Sequence, residues 1–168
     1  MIEIVIGNIV DEATDAIVNA ANEMLLPGSG ISGAIHAAAG NHLSIECEQI
    51  GRCATGDACI TAGYNLKAQF VIHAVAPRYW DGTRDEAKLL RKTYRAIFEL
   101  ALKYGIKSIS IPAIGTGIYR FPIVEATGIA FQEARVFEKH LEIRFVCFDE
   151  KSYQAYLDQA ASSLSRFT

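Results

Sequence analysis

Short runs of β-branched and aromatic residues alternate along the chain with longer stretches in which apolar side chains recur every three or four positions. That is the pattern of an α/β layered fold. The strand-like runs are Ile2–Ile6, Ala16–Val18, Ala58–Thr61, Phe70–Val75, Ser108–Ile111 and Ile143–Phe148, each short and bounded by Gly, Pro, Asn or Asp. Between them, Leu90, Tyr94, Ile97 and Ala101 step by four, three and four, which places them on one helical face that ends near Gly105. Ile123, Ala126, Ala130, Ala134 and Phe137 repeat the pattern after Phe121-Pro122, with the proline suited to a first turn. Tyr153, Leu157, Ala160 and Leu164 do so again after Asp149, a good N-cap residue. A fourth helix, expected to start at Gly33, is built from the small residues Ala34, Ala37, Ala38 and Ala39 up to Gly40. About ten residues separate the first two strands and about seven the third and fourth, too few for a βαβ crossover, so the sheet is predicted to be mixed. Ser162–Thr168 is expected to fray.

The 168 residues suit one domain by the usual ~150 residues per domain, with no linker, repeat or low-complexity segment. With 51% hydrophobic and 21% charged residues the chain can bury a sizeable core. Its 16 Lys and Arg against 19 Asp and Glu give a net charge of −3, which argues against general nucleic-acid binding through a basic surface. No apolar run approaches the ~18 residues of a membrane span, and Glu3 stands where a signal peptide would want a basic region. The expected location is therefore cytoplasmic, with no membrane partner. Cys47, Cys53, Cys59 and Cys147 make no CxxC pair and are read as reduced thiols, and no metal site is predicted.

Chemistry concentrates in two glycine-rich loops. Pro27-Gly28-Ser29-Gly30-Ile31-Ser32-Gly33 runs straight into the small-residue helix, so free backbone N–H groups and a helix N-terminus can converge on an anion. Gly28, Gly30 and Gly33 spell G-x-G-x-x-G, but the preceding strand ends about ten residues too early for a dinucleotide-binding turn. Ile114-Gly115-Thr116-Gly117-Ile118-Tyr119 follows the strand Ser108–Ile111, at the carboxyl end where open α/β sheets bind ligands. Neither loop contains the lysine of GxxxxGK[ST], so a diphosphate held by backbone groups from both sides fits better than a triphosphate with Mg²⁺. Asn19 and Asn22, at a strand exit just before the first loop, can satisfy local backbone groups or reach ribose hydroxyls.

Taken in order, Val18-Asn19-Ala20-Ala21-Asn22, Gly28–His36, Thr55–Tyr64, Phe70–His73 and Ile111–Pro122 resemble a macro domain, most closely the MacroD-type branch, over nearly the whole chain. The resemblance implies a three-layer α/β/α sandwich with a six-stranded mixed sheet, residues 1–168 forming one macro domain, and a crevice for ADP-ribose or an ADP-ribosylated protein. It implies that Gly30, Ile31, Ser32 and Gly33 wrap the diphosphate and approach the distal ribose, and that Asn22 bonds that ribose's hydroxyls. Gly115, Thr116, Gly117 and Ile118 would close from the opposite side, with Tyr119 near the distal ribose and Phe148 against the adenine. In most relatives an Asp reads the adenine amino group where this chain has Asn8, followed by Ile9, whose N–H also reads the base. Asn8 brings no charge, at a cost of about 1 kcal/mol.

Hydrolytic relatives carry an Asp where this chain has Ser32. A serine hydroxyl orients a water but is no general base near pH 7, and losing such a base costs ~10²–10⁴-fold in rate. The resemblance thus implies two functions. One is hydrolysis of mono-ADP-ribosyl esters on acidic side chains or of O-acetyl-ADP-ribose, with Asn22 and Ser32 as catalytic residues, no cofactor, and a monomer as the working state. The other is a reader that binds ADP-ribose without turning it over. His36, four residues after Ser32, is expected to pack behind the first loop, and His73 to be a core residue or a water holder.

Overall fold

The structure is a computed structural model that describes residues 1–165. Its six strands are β1 (Ile2–Ile6), β2 (Ala16–Ala20), β3 (Ala58–Ala62), β4 (Phe70–Ala74), β5 (Ser108–Pro112) and β6 (Glu142–Cys147), in the spatial order β1-β6-β5-β2-β4-β3. Each predicted strand is present within two residues at either end. The helices are α1 (Gly30–Ala39), α2 (Asn41–Ile50), α3 (Glu86–Lys103), α4 (Ile123–Phe137) and α5 (Glu150–Ser165), with a 3₁₀ turn at Ile9–Asp11. The part of the expected frayed end at 166–168 lies outside the described residues, while 162–165 belong to α5.

Alternation along the strands sorts side chains to two faces. Val18, Ile72, Ile111 and Phe145 meet Leu90, Tyr94 and Ile97 of α3, Ala130 and Ala134 of α4 and Tyr156 of α5 in one core. Ile17, Val71 and Val146 meet Ile35 and Ala39 of α1 and Leu43 and Cys47 of α2 in the other. The result is the three-layer sandwich with a mixed six-stranded sheet. Arg91 and Arg95 of α3 both reach Glu133 of α4, whose carboxylate is nearly fully buried, and tie one helical layer together.

Of the two short connections that predicted the mixed character, the one between β3 and β4 joins the antiparallel pair that produces it, and the one between β1 and β2 does not. Only β3 and β4 are antiparallel neighbours; β1, β6, β5, β2 and β4 all run parallel. β1 and β2 are not adjacent, since β6 and β5 lie between them. The connecting segment crosses the sheet face instead of climbing through a helix, and polar side chains fasten it there. Glu12 Oε1 accepts from Arg144 Nε of β6 at 2.7 Å and from Ser110 Oγ of β5 at 2.7 Å, and the Asp15 N–H donates to Ser108 Oγ. Burial pushes the Glu12 carboxyl up, but the bonds from Arg144 and Ser110 outweigh it and hold it below the ordinary value. This arrangement brings the carboxyl ends of β1, β6, β5 and β2 to one edge of the molecule, where open α/β sheets place ligands.

Candidate functional site

A crevice opens over those strand ends. Its larger chamber, of about 720 Å³, is bounded by Asn8 and Ile9 after β1, Gly30 and Ile31 at the start of α1, Thr116 and Gly117 after β5, and Phe148 after β6. A smaller chamber of about 270 Å³ continues past Gly30, Ile31 and Gly117 to Asn22, Ser32, Gly115, Ile118 and Tyr119. Of the residues expected at the site, all but Gly33 line one chamber or the other. Gly33 has a packing reason to be glycine, because a Cβ there would lie 2.3 Å from the Gly28 carbonyl oxygen.

The first loop differs from its expectation in one respect. Helix α1 begins at Gly30, three residues before the predicted start, so the loop's second glycine is itself the first helical residue, at φ +63°. Ser29 stands at the N-cap and makes no side-chain cap, which leaves the first-turn N–H groups at the crevice wall formed by Gly30, Ile31 and Ser32. In the facing loop Gly115 needs its freedom, at φ +86°. Gly117 does not: it has an ordinary φ, and a Cβ there would meet no atom within 4 Å. The space beside Gly117 is the crevice itself.

The base-like end is apolar with a few polar groups. Phe148 is 82% exposed although it lines the larger chamber, so its ring offers a bare stacking surface. Asn8 Oδ1 accepts the Val10 N–H at 3.2 Å and caps the 3₁₀ turn. One lone pair of that oxygen is thus taken by the turn, and its second lone pair and the amide Nδ2 are left to face a base. Sequence reasoning assigned no role to Arg120 or Lys151, two cations that also line this chamber. Arg120 was within view, directly after the second glycine loop, where its φ is +60°.

Asn22 is pinned by its own turn. Its Nδ2 donates to the Leu26 carbonyl at 2.9 Å and its Oδ1 accepts the Leu26 N–H at 3.0 Å, so one face of the amide is fixed while the residue lines the smaller chamber. Among the described residues no Asp, Glu or His lines that chamber. His36 bonds through Nδ1 to Ser44 Oγ of α2 at 3.2 Å, and burial lowers its pKa. It packs behind the first loop, as expected.

Behind Ser32 runs a buried polar chain whose direction is set by the Asn19 amide. Its Nδ2 can only donate, so the ring nitrogen it faces is an acceptor, while the other ring nitrogen of His73, Nε2, lies 2.9 Å from Thr61 Oγ1, a hydroxyl that also reaches the Ala62 carbonyl at 3.1 Å. His73 therefore carries its proton on Nε2, and its bare Nδ1 accepts from Asn19 Nδ2 at 3.1 Å. Asn19 Nδ2 also lies 3.5 Å from Ser32 Oγ and donates to it at the limit of a hydrogen bond. The hydroxyl proton of Ser32, a residue only 6% exposed, and its second lone pair are left for the chamber. Burial, aided by the neighbouring His36, pushes the His73 pKa down to about 4 and keeps the ring neutral. Asn19 was expected to satisfy local backbone groups or reach ribose hydroxyls; its pairing with His73 comes instead from the β2–β4 register.

No group of three or more His, Cys, Asp or Glu among the described residues is arranged to hold a metal, and all four cysteines are free. No helix among them is long and apolar enough to cross a membrane.

Comparison with known proteins matches this geometry. The macro domain family model matches residues 18–130, from within β2 through both glycine loops and into α4. A macro domain-containing protein of Mesorhizobium japonicum is 46% identical over 160 residues, covering 93% of this chain and 91% of its own. O-acetyl-ADP-ribose deacetylase 1 of Pantoea vagans is 44% identical over 167 residues, covering 93% and 96%. Among solved structures, a point mutant of the Oceanobacillus iheyensis macrodomain with ADPR superposes with a TM-score of 0.93 at 37% identity, covering 98% of this chain and 94% of its own. The Trypanosoma brucei macrodomain in complex with ADP-ribose gives 0.88 at 40%, covering 95% and 68%. With sequence, sheet order and crevice in agreement, the chain belongs to the macro domain family.

Proposed function

We propose that residues 1–168 work as a single macro domain that binds ADP-ribose in this crevice and hydrolyses esters of its distal ribose, either O-acetyl-ADP-ribose or a mono-ADP-ribosylated acidic side chain. The observation that carries the reading is the two-chambered crevice, in which the uncapped first turn of α1 faces Thr116 and Gly117 across a gap suited to a diphosphate. Adenine then lies toward Phe148, Asn8 and Ile9, with Arg120 and Lys151 beside the diphosphate. The distal ribose enters the smaller chamber between Asn22, Ser32 and Tyr119. The names of the Pantoea vagans relative and the ADP-ribose complex of the Trypanosoma brucei relative support the choice of ligand.

In the hydrolytic step water adds, the ester bond breaks, and ADP-ribose and the free acid leave. Ser32 contributes by donating a hydrogen bond to an oxygen of substrate or water; proton removal falls to a group outside the chamber's protein walls, and the substrate's own phosphate is suited to it. The absence of a carboxylate or imidazole in the smaller chamber is the observation that favours the second reading, a binding module without turnover. Calorimetry with ADP-ribose, run beside release of ADP-ribose from a mono-ADP-ribosylated glutamate peptide and of acetate from O-acetyl-ADP-ribose, separates the cases. Binding with release supports the hydrolase, binding alone supports the reader, and no binding sinks both.

A further inference from the structure

A third cavity, of about 400 Å³, adjoins the smaller chamber and shares Asn22 and Tyr119 with it. It lies on the far side of the position proposed for the distal ribose, and its walls include Met24, Leu26 and Arg78. Met24 and Leu26 are more than half exposed. Beyond Arg78 stands Trp80, 55% exposed, with the guanidinium carbons of Arg78 and Arg84 each 4.7 Å from its ring centroid.

This surface is built to hold its shape. The buried carboxylate of Glu86 accepts the N–H groups of Trp80 at 3.0 Å, Asp81 at 3.1 Å, Gly82 at 2.8 Å and Arg84. The Tyr79 N–H donates to the Tyr119 carbonyl at 2.8 Å, bolting the segment to the second glycine loop. Of the nearby acids, Glu23 is held by Arg52 and the Thr55 N–H and Asp81 by the Thr83 N–H and hydroxyl, though the charge of Asp81 also acts on Arg84, and Asp85, next to Arg84, makes no side-chain cap. Neither Arg78 nor Arg84 has a hydrogen bond or ion pair from its guanidinium to a carboxylate among the described residues. Two such guanidinium groups clamped on a rigid exposed indole, next to apolar Met24 and Leu26, make a surface complementary to carboxylates carried on a short peptide.

We infer that the Arg78–Trp80–Arg84 platform docks an acidic peptide segment flanking the side chain that bears ADP-ribose, so that the modified protein, and not only its nucleotide, is recognised. The inference rests on the ADP-ribose reading of the crevice. An acetyl group on the distal ribose would fill a small part of the third cavity and would not reach Trp80.

The test uses three probes in calorimetry: free ADP-ribose, a peptide carrying ADP-ribose through a hydrolysis-resistant linkage between glutamates, and the same conjugate with glutamines. The glutamate conjugate is expected to bind about tenfold more tightly than the glutamine conjugate at low salt, with the gap closing as salt is added. The double variant Arg78→Glu, Arg84→Glu removes or inverts the gap while the Kd for free ADP-ribose stays within about twofold. Equal affinity of the two conjugates for the wild-type chain overturns the platform, as does a double variant that weakens free ADP-ribose as much as the conjugate. The salt titration needs no variant, and Arg78→Gln with Arg84→Gln repeats the comparison should charge reversal disturb folding. Failure of the wild-type chain to bind free ADP-ribose instead overturns the assignment of the crevice, and the platform with it.

Discussion

Ser32 sits at the end of a hydrogen-bond chain whose polarity is set by the Asn19 amide, and accepting from that amide leaves its hydroxyl proton free to be donated to the chamber. A donor can hold a water or steady a developing negative oxygen, but it cannot take a proton at neutral pH. Replacing it by a carboxylate should therefore act on the rate more than on affinity: Ser32→Asp is expected to raise ester turnover about tenfold or more, with the Kd for ADP-ribose little changed. An unchanged rate constant would show that this position does not limit the reaction. The chain behind it can be tested by substitutions that keep or erase its direction. His73→Gln retains an acceptor toward Asn19 and a donor toward Thr61, whereas His73→Phe retains neither and leaves Asn19 Nδ2 buried with a weak partner. Turnover and ADP-ribose affinity near wild type in the glutamine variant, with both reduced in the phenylalanine variant, is the expected outcome. Equal behaviour of the two variants would mean that the ring only fills space. The loop residues of the site were legible in the sequence because their chemistry is local. Asn19 and His73 are 54 positions apart, and only the parallel register of β2 on β4 makes them partners.

The elements themselves were legible wherever burial imposes a period. Strands β2 and β5 read as short apolar runs because they are central and covered on both faces. Helix α3 read clearly because Leu90, Tyr94, Ile97 and Ala101 all face one core. Helix α2 gave no such signal: only Leu43 and Cys47 are buried in its ten residues, and glycines at 40 and 51 bound it closely. The start of α1 was misplaced because Gly30 reads as loop, yet it opens the helix whose uncapped turn forms the crevice wall. For the facing loop the structure turns a sequence guess into a clean experiment. A side chain at Gly117 meets no protein atom within 4 Å and strains no backbone angle, so Gly117→Glu should fold with a melting temperature close to wild type. It should nevertheless abolish ADP-ribose binding, because it puts bulk and negative charge where the diphosphate is proposed to lie. Retained affinity in a folded variant would mean that this loop does not face the diphosphate.

For the whole molecule, the sheet order is the part that local sequence reasoning does not reach. The β1–β2 segment is too short for a helical crossover, yet it joins two parallel strands by spanning the face of β6 and β5, where Glu12, Arg144, Ser110 and Ser108 hold it. Such polar anchors make the fold's stability depend on pH in two separable windows. The buried His73, neutral in the folded chain, has its pKa pushed from 6.5 to about 4. Between those values the unfolded chain takes up a proton that the folded chain refuses, so stability falls as pH drops through them. For Glu86, burial acts to raise the pKa, but the N–H groups of Gly82, Trp80, Arg84 and Asp81 bring it from 4.5 down to about 2. Its contribution is fully present above 4.5 and is lost as pH falls toward 2. A proton bound by the unfolded chain alone makes stability fall as pH falls, so each window should be visible in denaturant midpoints measured from pH 7 to 2. His73→Gln is expected to flatten the upper window and leave the lower one, and Glu86→Gln to do the reverse. If both variants keep the wild-type slope throughout, acid sensitivity comes from elsewhere, with the Glu12 carboxylate, also held below its ordinary value, the next group to replace.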